Sequence, residues 1–311
     1  MKLTLLGGGG FRVPLMFRTL LADQSDRRVT ELRLWDTDAG RLAVIRSILQ
    51  AMAQGHPRAP EVRVAQNLEE AVAGTDFVFS AIRVGGTEGR ATEETIAHCC
   101  GVLGQETTGF GGLDYALRGI PTAVRIAETI ARLAPGAHLI NFTNPAGIIT
   151  EVSSRILGDR VIGICDSPVG LARRVLDTLE GAGLVATGTA SRVIAGDDRV
   201  RLDYVGLNHL GWLQRLLVDG DDVLPLLLER PDLIESFEEG RLFGAGWLRQ
   251  LGSVPNEYLH YYYFARETRR ADEAVEATRG VFLAAQQRDF YARAATLPGP
   301  EAYALWEATR L

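Results

Sequence analysis

Residues able to do chemistry gather at the ends of two apolar segments. Asn141, Thr143 and Asn144 close the run 137–142, and Cys165 with Asp166 closes the run 161–165. In a parallel α/β sheet such groups collect at the carboxyl ends of strands, because the core excludes them and the ligand crevice uses them. A thiol beside a carboxylate at a strand end points to chemistry.

The elements that must position these groups begin at the N-terminus. Residues 2–6 read as a short apolar strand that stops at Gly7, Gly8, Gly9 and Gly10, and residues 11–22, opened by Phe11 and Arg12, have helical periodicity. A glycine turn between a strand and a helix lets the backbone approach a phosphate at the helix N-terminus. Val13 and Pro14 fill the place of the last glycine of the dinucleotide fingerprint, so a tight turn without a ligand is the competing reading. The second strand, 31–35, ends in Asp36. An acidic side chain there accepts hydrogen bonds from an adenosine ribose and repels a 2′-phosphate, which favours NAD over NADP. Asp36 can equally cap the helix that starts near Asp38, and the two roles are compatible.

The alternation continues with a helix at 39–54, a strand at 62–65, a helix at 68–73 and a strand at 76–81. With the strands at 137–142 and 161–165, this pitch predicts a Rossmann-like doubly wound parallel sheet. After Ala81 the pattern breaks into a long charged loop through Gly109. Arg83 and Arg90 in it are candidates for an anionic group, since guanidinium meets phosphate in a bidentate way, and surface ion pairs are the alternative.

The chain of 311 residues is 46% hydrophobic and 23% charged. It is long enough for more than one domain. A net charge of −6 offers no basic face to nucleic acid, and no Lys/Arg run suggests a membrane surface, so the expected partner is a small molecule. Cys99, Cys100 and Cys165 are an odd set without metal-knuckle spacing, which indicates a reducing compartment. The first ten residues are too glycine-rich for a signal peptide, and no apolar run reaches the roughly 18 residues of a membrane span, so the expected location is cytoplasmic.

In sequence order, the Gly7 to Pro14 loop, Arg83-Val84-Gly85-Gly86, Gly104 to Gly112, Asn141-Phe142-Thr143-Asn144-Pro145, Gly163-Ile164-Cys165-Asp166 and Gly206-Leu207-Asn208-His209 resemble the NAD- and divalent-metal-dependent glycoside hydrolases of family 4. That family includes 6-phospho-β- and 6-phospho-α-glucosidases. Pro255-Asn256-Glu257-Tyr258-Leu259-His260-Tyr261-Tyr262-Tyr263 is similar to a segment of the phospho-β-glucosidase branch, whereas Asp166 stands where β-specific members often have Asn. The resemblance implies that NAD oxidises C3 of the sugar, a base removes the acidified C2 proton, the C1 aglycone leaves by elimination, water adds, and NADH restores C3. This NAD-dependent route is an exception to the two-carboxylate mechanism of glycosidases.

The resemblance also assigns roles. Cys165 and His209 correspond to the metal ligands, and the implied ion is Mn²⁺, although thiolate chemistry alone suggests Zn²⁺ or Fe²⁺. Tyr258 corresponds to the base, and its phenol, of unperturbed pKa about 10, needs a nearby cation to act near neutrality. Asp166 is placed to donate a proton to the leaving oxygen or orient water. Asn144, Asn208 and Arg90 are expected to serve the substrate, and Gly7 to Arg12, Asp36 and Arg83 the cofactor. Tyr261, Tyr262, Tyr263 and Phe264 read as an aromatic helix face packed in the core.

The expected division is an NAD-binding domain at 1–168 and an α+β, mostly helical domain at 169–311 carrying substrate, metal and oligomer contacts. Within the latter, residues 200–205 and 212–218 read as strands, 219–221 as a turn, and 271–295 and 300–310 as helices. Residues 181–198, rich in Gly, Ala and Thr, read as an inserted mobile loop. Family members continue past the position of Leu311, and homo-oligomers, dimers or tetramers, are expected. The favoured activity is hydrolysis of a phosphorylated glycoside, specifically 6-phospho-glucosides with β preferred. The alternatives are an NAD-dependent hydroxy-acid dehydrogenase and a non-catalytic NAD or sugar-phosphate sensor.

Overall fold

The computed structural model describes residues 1–273 and 277–310. Its contacts divide the chain into two units, one formed by Met1–Ile164 with Asp272–Leu311, the other by Cys165–Ala271.

In the first unit the strands are β1 (Lys2–Leu6), β2 (Glu31–Trp35), β3 (Glu61–Val64), β4 (Phe77–Ser80), β5 (His138–Asn141) and β6 (Val161–Gly163). They form a six-stranded sheet in the order β3-β2-β1-β4-β5-β6. Every pairing is parallel. The order reverses at β1 and β4, which makes their carboxyl ends the ligand crevice of such a sheet. The expected Rossmann-like arrangement is therefore the one observed.

Connecting helices are α1 (Val13–Ala22), α2 (Ala39–Ala53), α3 (Leu68–Val72), α4 (Gly86–Cys99), α5 (Gly109–Leu133) and α6 (Ala146–Leu157). Polar caps set two starts: Asp38 accepts from Arg41 N–H at 2.9 Å for α2, and Asn67 accepts from Glu70 N–H at 2.8 Å for α3. The capping residue of α2 is thus Asp38 rather than Asp36.

The expected long loop after Ala81 is in large part helix α4. Its apolar period is weak because the buried face is charged: Glu93 and Glu94 are buried on it and meet arginines instead of hydrophobic side chains.

The second unit contains α7 (Ser167–Gly181), α8 (Thr189–Ala195), the hairpin of β7 (Val200–Gly206) and β8 (Gly211–Val218), β9 (Asp221–Asp222), and β10 (Val254–Pro255). Both Asp219 and Gly220 have positive φ, 51° and 101°, the geometry that lets a two-residue turn join β8 to β9. Short helices follow: α9 (Leu224–Leu228), α10 (Pro231–Ile234), α11 (Glu238–Phe243), α12 (Ala245–Leu251), α13 (His260–Tyr263) and α14 (Ala265–Glu273). Leu171, Val175, Leu176 and Leu179 of α7 join Leu213, Leu216, Leu224 and Leu248 in one core.

The segment 181–198 is not an irregular loop. It contains α8, bracketed by left-handed Gly188 and Gly196, whose first two residues, Thr189 and Ala190, are buried. The aromatic run also differs from expectation: Tyr262 and Tyr263 are 55% and 49% exposed. The aromatic period around them arises from two short turns rather than one buried helix face.

The remaining helices, α15 (Arg279–Ala294) and α16 (Gly299–Arg310), fall by their contacts in the first unit, whereas the sequence reading groups residues 169–311 together. The physical reason is burial: Phe290, Tyr291, Ala294, Ala302 and Trp306 share a core with Leu3, Leu5, Phe17, Leu34 and Ile48. The helix expected at 271–295 is divided between α14 and α15, and residues 274–276 of it lie outside the described residues. Among the described residues no helix is long and apolar enough to cross a membrane.

Candidate active site

In the first unit the glycine turn is held by its own strands. Gly7, at φ +86°, and Gly8 both donate to the carbonyl of Trp35 at the end of β2, at 3.0 and 2.9 Å. A Cβ on Gly7 would lie 2.6 Å from Ala81 O, and one on Gly8 2.8 Å from Leu34 Cβ, so close packing alone demands glycine there. Gly9 N–H donates to Asp36 Oδ2 at 2.8 Å, and Asp38 N–H to Asp36 Oδ1 at 3.0 Å. Gly10 N–H turns back to Gly7 O at 2.9 Å. Each carboxylate oxygen of Asp36 keeps a second lone pair for a ribose hydroxyl. The four glycine N–H groups are used internally, and at the start of α1 Val13 N–H donates to Gly10 O at 3.1 Å while Pro14 has none to offer. The sheet order, the turn and Asp36 together fit a dinucleotide.

Two side chains absent from the sequence reading support this turn. Tyr291 donates its hydroxyl to Gly9 O at 2.6 Å, and Trp306 Nε1 donates to Phe11 O at 2.7 Å. Both come from the C-terminal helices, 282 and 295 residues away in sequence, and only an apolar period marks them in the chain.

Arg83 and Arg90 converge on one carboxylate. Arg83 Nη2 bonds Glu106 Oε1, and Arg90 Nη1 meets Glu106 Oε2 at 2.6 Å while its Nε meets Glu94 Oε1 at 2.6 Å. Burial pushes the Glu106 carboxyl up, but Arg83 and Arg90 outweigh it and hold the group below its ordinary value, with Asn144 adding a hydrogen bond. Arg83 also lies over the Tyr115 ring at 4.9 Å, and burial pushes that phenol up to about 12. The structure thus joins Arg83, Arg90 and Asn144 around Glu106, which sequence reasoning had passed over although it lies between the two arginines and the start of α5. Asn141 and Thr143 are structural: Asn141 Nδ2 donates to Thr150 Oγ1 at 3.1 Å, and Thr143 Oγ1 accepts from Ile82 N–H at 3.1 Å.

In the second unit three predicted side chains come together. Cys165 immediately precedes Asp166, the N-cap residue of α7. His209 sits in the two-residue turn of the β7–β8 hairpin, closed by Leu207 N–H to Leu210 O at 3.1 Å and the reverse bond at 2.9 Å. Tyr204 donates to Asn208 O at 2.5 Å, fixing that turn from below. Tyr258 lies in a 3-10 turn, Glu257–Leu259, capped by Asn256, whose Oδ1 accepts Tyr258 N–H at 3.1 Å. Cys165 Sγ is 3.2 Å from His209 Nε2, and the His209 and Tyr258 rings stack at 3.7 Å, 2° from parallel. Asp166 and Asn208 are exposed beside this cluster in the chain.

The donor pair fits a divalent ion. Zinc-like metal–sulfur and metal–imidazole bonds of about 2.3 and 2.0–2.1 Å put S and N roughly 3.1 Å apart at a right angle and about 3.6 Å apart at the tetrahedral angle, a range that includes the 3.2 Å observed. Among the described residues no group of three or more His, Cys, Asp or Glu surrounds a metal position. Cys165 and His209 would hold a cation through one sulfur and one imidazole nitrogen, and such a cation would supply Lewis-acid chemistry.

A Rossmann-type sheet with an acidic β2 tip, followed by a thiol–imidazole–phenol cluster, defines an α/β protein of the dinucleotide-binding fold class. The chain belongs to family 4 of the glycosyl hydrolases: the family model matches residues 2–180, and that of the family's C-terminal domain matches 204–308. A probable 6-phospho-beta-glucosidase of Bacillus subtilis is 30% identical over 288 residues, covering 90% of this chain and 62% of that protein. A 6-phospho-alpha-glucosidase of Leptotrichia buccalis is 31% identical over 280 residues, covering 85% and 60%. The chain thus spans about six tenths of the length of these curated relatives. The solved 6-phospho-beta glucosidase of Thermotoga maritima with manganese, NAD+ and glucose-6-phosphate superposes with a TM-score of 0.80 at 26% identity, covering 100% of this chain and 72% of that one.

Proposed function

We propose that the protein hydrolyses 6-phospho-glucosides, with the β-linkage favoured, using NAD and a divalent metal ion, Mn²⁺ first among them. The observation that carries this reading is the approach of Cys165 Sγ to His209 Nε2 at 3.2 Å with Tyr258 stacked on the imidazole. It is supported by the solved relative that holds manganese, NAD+ and glucose-6-phosphate.

When bound, NAD supplies reversible removal of hydride from C3, which acidifies the C2 proton, and a divalent ion supplies Lewis-acid polarisation of the sugar oxygens. The chain's own groups do the rest. Cys165 Sγ and His209 Nε2 hold the cation, and Tyr258 Oη takes the C2 proton as general base. The Asp166 carboxyl gives a proton to the departing glycosidic oxygen. Asn144 hydrogen-bonds sugar hydroxyls, and Asn208 sets the turn that presents His209. On the cofactor side Asp36 accepts from the ribose and Arg12 meets the pyrophosphate. Arg83 Nη1 is buried with no hydrogen-bond partner among the described residues, which suits a ligand oxygen. Arg90 is paired to two carboxylates, so its part is to orient the substrate pocket rather than to add net charge.

The β-linkage is favoured by the segment around Tyr258, while relatives of both anomeric classes match at 30% and 31% identity. An assay with NAD and Mn²⁺ on paired 4-nitrophenyl α- and β-glucosides, with and without the 6-phosphate, tests the proposal. Fastest release of nitrophenol is expected from the 6-phospho-β-glucoside, with no lasting NADH. Net NADH from a hydroxy acid without glycoside cleavage would assign the chain to the dehydrogenases instead.

A further inference from the structure

His209 and Tyr258 are placed by one sheet. Tyr258 follows β10, which pairs with β8 through Pro255 and Trp212, and Asn256 N–H donates to Gly211 O at 2.9 Å at the foot of the His209 hairpin. Cys165 arrives from elsewhere, ahead of α7, and that sheet does not fix it. The link between them is a carboxylate. Ser167 Oγ donates to Glu257 Oε1, and Glu257 Oε2 faces Arg174 Nη2 at 3.5 Å. Arg174 is itself clamped by the fully buried Glu239, through Nε to Oε2 at 3.0 Å and a second bond from Nη2. Ser167 is two residues from Cys165, and Glu257 is next to Tyr258.

We propose that Glu257 is a positioning residue that, through Ser167 and Arg174, registers the Cys165 turn against the Tyr258 turn and so sets the thiol–imidazole–phenol geometry. This rests on the metal-binding reading of Cys165 and His209. Glu257 is partly buried, with 20% of its side chain exposed, and a carboxylate drawn in between a cation and a hydroxyl has a desolvation cost that packing alone does not require; here one oxygen accepts from Ser167 in the first turn of α7 and the other pairs with Arg174 in its middle. The arrangement parallels the outer-shell partners that orient metal ligands in other sites.

Cobalt(II) titration of the full chain tests it, because a thiolate bound to cobalt gives a charge-transfer absorption that reports the Cys165 bond independently of turnover. In the unaltered protein the band should form, and C165A should abolish it. S167A and E257A are each expected to weaken cobalt binding about tenfold, the lower end for loss of an outer-shell partner. The double variant should be no weaker than either single one, since both break the same link. E257Q, whose amide oxygen still accepts from Ser167, should recover most of the affinity. S167A removes one oxygen atom only and carries the test alone if E257A does not fold. Unchanged affinity and band in S167A and E257A, or additive losses in the double variant, would overturn the inference. No band in the unaltered protein would instead remove the metal reading beneath it.

Discussion

At Glu106 burial and charge pull in opposite directions, and charge wins: Arg83 and Arg90 hold the carboxyl below its ordinary value of 4.5. A depressed folded-state pKa means that ionised Glu106 contributes stability above the unfolded value and loses it as pH falls through the folded one. Glu106→Gln leaves two partly buried guanidinium groups without their shared anion, which costs about 3 kcal/mol near neutral pH. Urea unfolding of the two proteins should show that difference shrinking as the pH drops below 4.5. A gap that does not depend on pH would mean that the carboxylate's charge is not what matters. That Cys165, His209 and Tyr258 come together was legible in the sequence through the order of the motifs that carry the family resemblance. Glu106 and Glu257 were not, because a carboxylate's role depends on which cation reaches it, and Arg90 and Arg174 are brought to them by helices whose packing a sequence does not display.

The β7–β8 hairpin is the element on which the proposed metal site depends most. A Cβ on Gly211 would sit 2.4 Å from Tyr204 Cε1 and 2.8 Å from its hydroxyl. Gly211→Ala must therefore push aside the ring whose hydroxyl holds Asn208 O, and the His209 turn moves with it. Metal affinity is expected to fall about tenfold while the fold persists, checked by Mn²⁺ titration beside far-ultraviolet circular dichroism. Unchanged affinity would show that the turn is held by other contacts. At this scale the six parallel strands were readable, since buried strands are continuous apolar runs bounded by polar breaks. Helix α4 was not, because its buried positions are Glu93 and Glu94 rather than a hydrophobic stripe. Helix α8 was hidden by the glycines that bracket it, which read as loop until their positive φ values place them as caps.

Over the whole molecule the chain leaves the first unit at Ile164 and returns to it at Asp272, so a cluster-bearing unit is inserted between two parts of a dinucleotide fold. No composition shift marks the return; it shows in packing, with Trp306 buried in the first unit's core. The division predicts separate ligand signatures in hydrogen exchange. NAD should protect β1, the glycine turn and α1, together with the segment around Tyr291, whereas Mn²⁺ should protect the turns of Cys165 and His209. Protection of the glycine turn by Mn²⁺ alone would contradict that assignment. The most direct test of the central claim is hydrolysis in deuterium oxide with NAD and Mn²⁺, followed by mass and NMR analysis of the released sugar phosphate. The account predicts deuterium at C2 of the product, and Tyr258→Phe should slow its incorporation by at least about a hundredfold. Aglycone release with C2 still carrying its original hydrogen would contradict it.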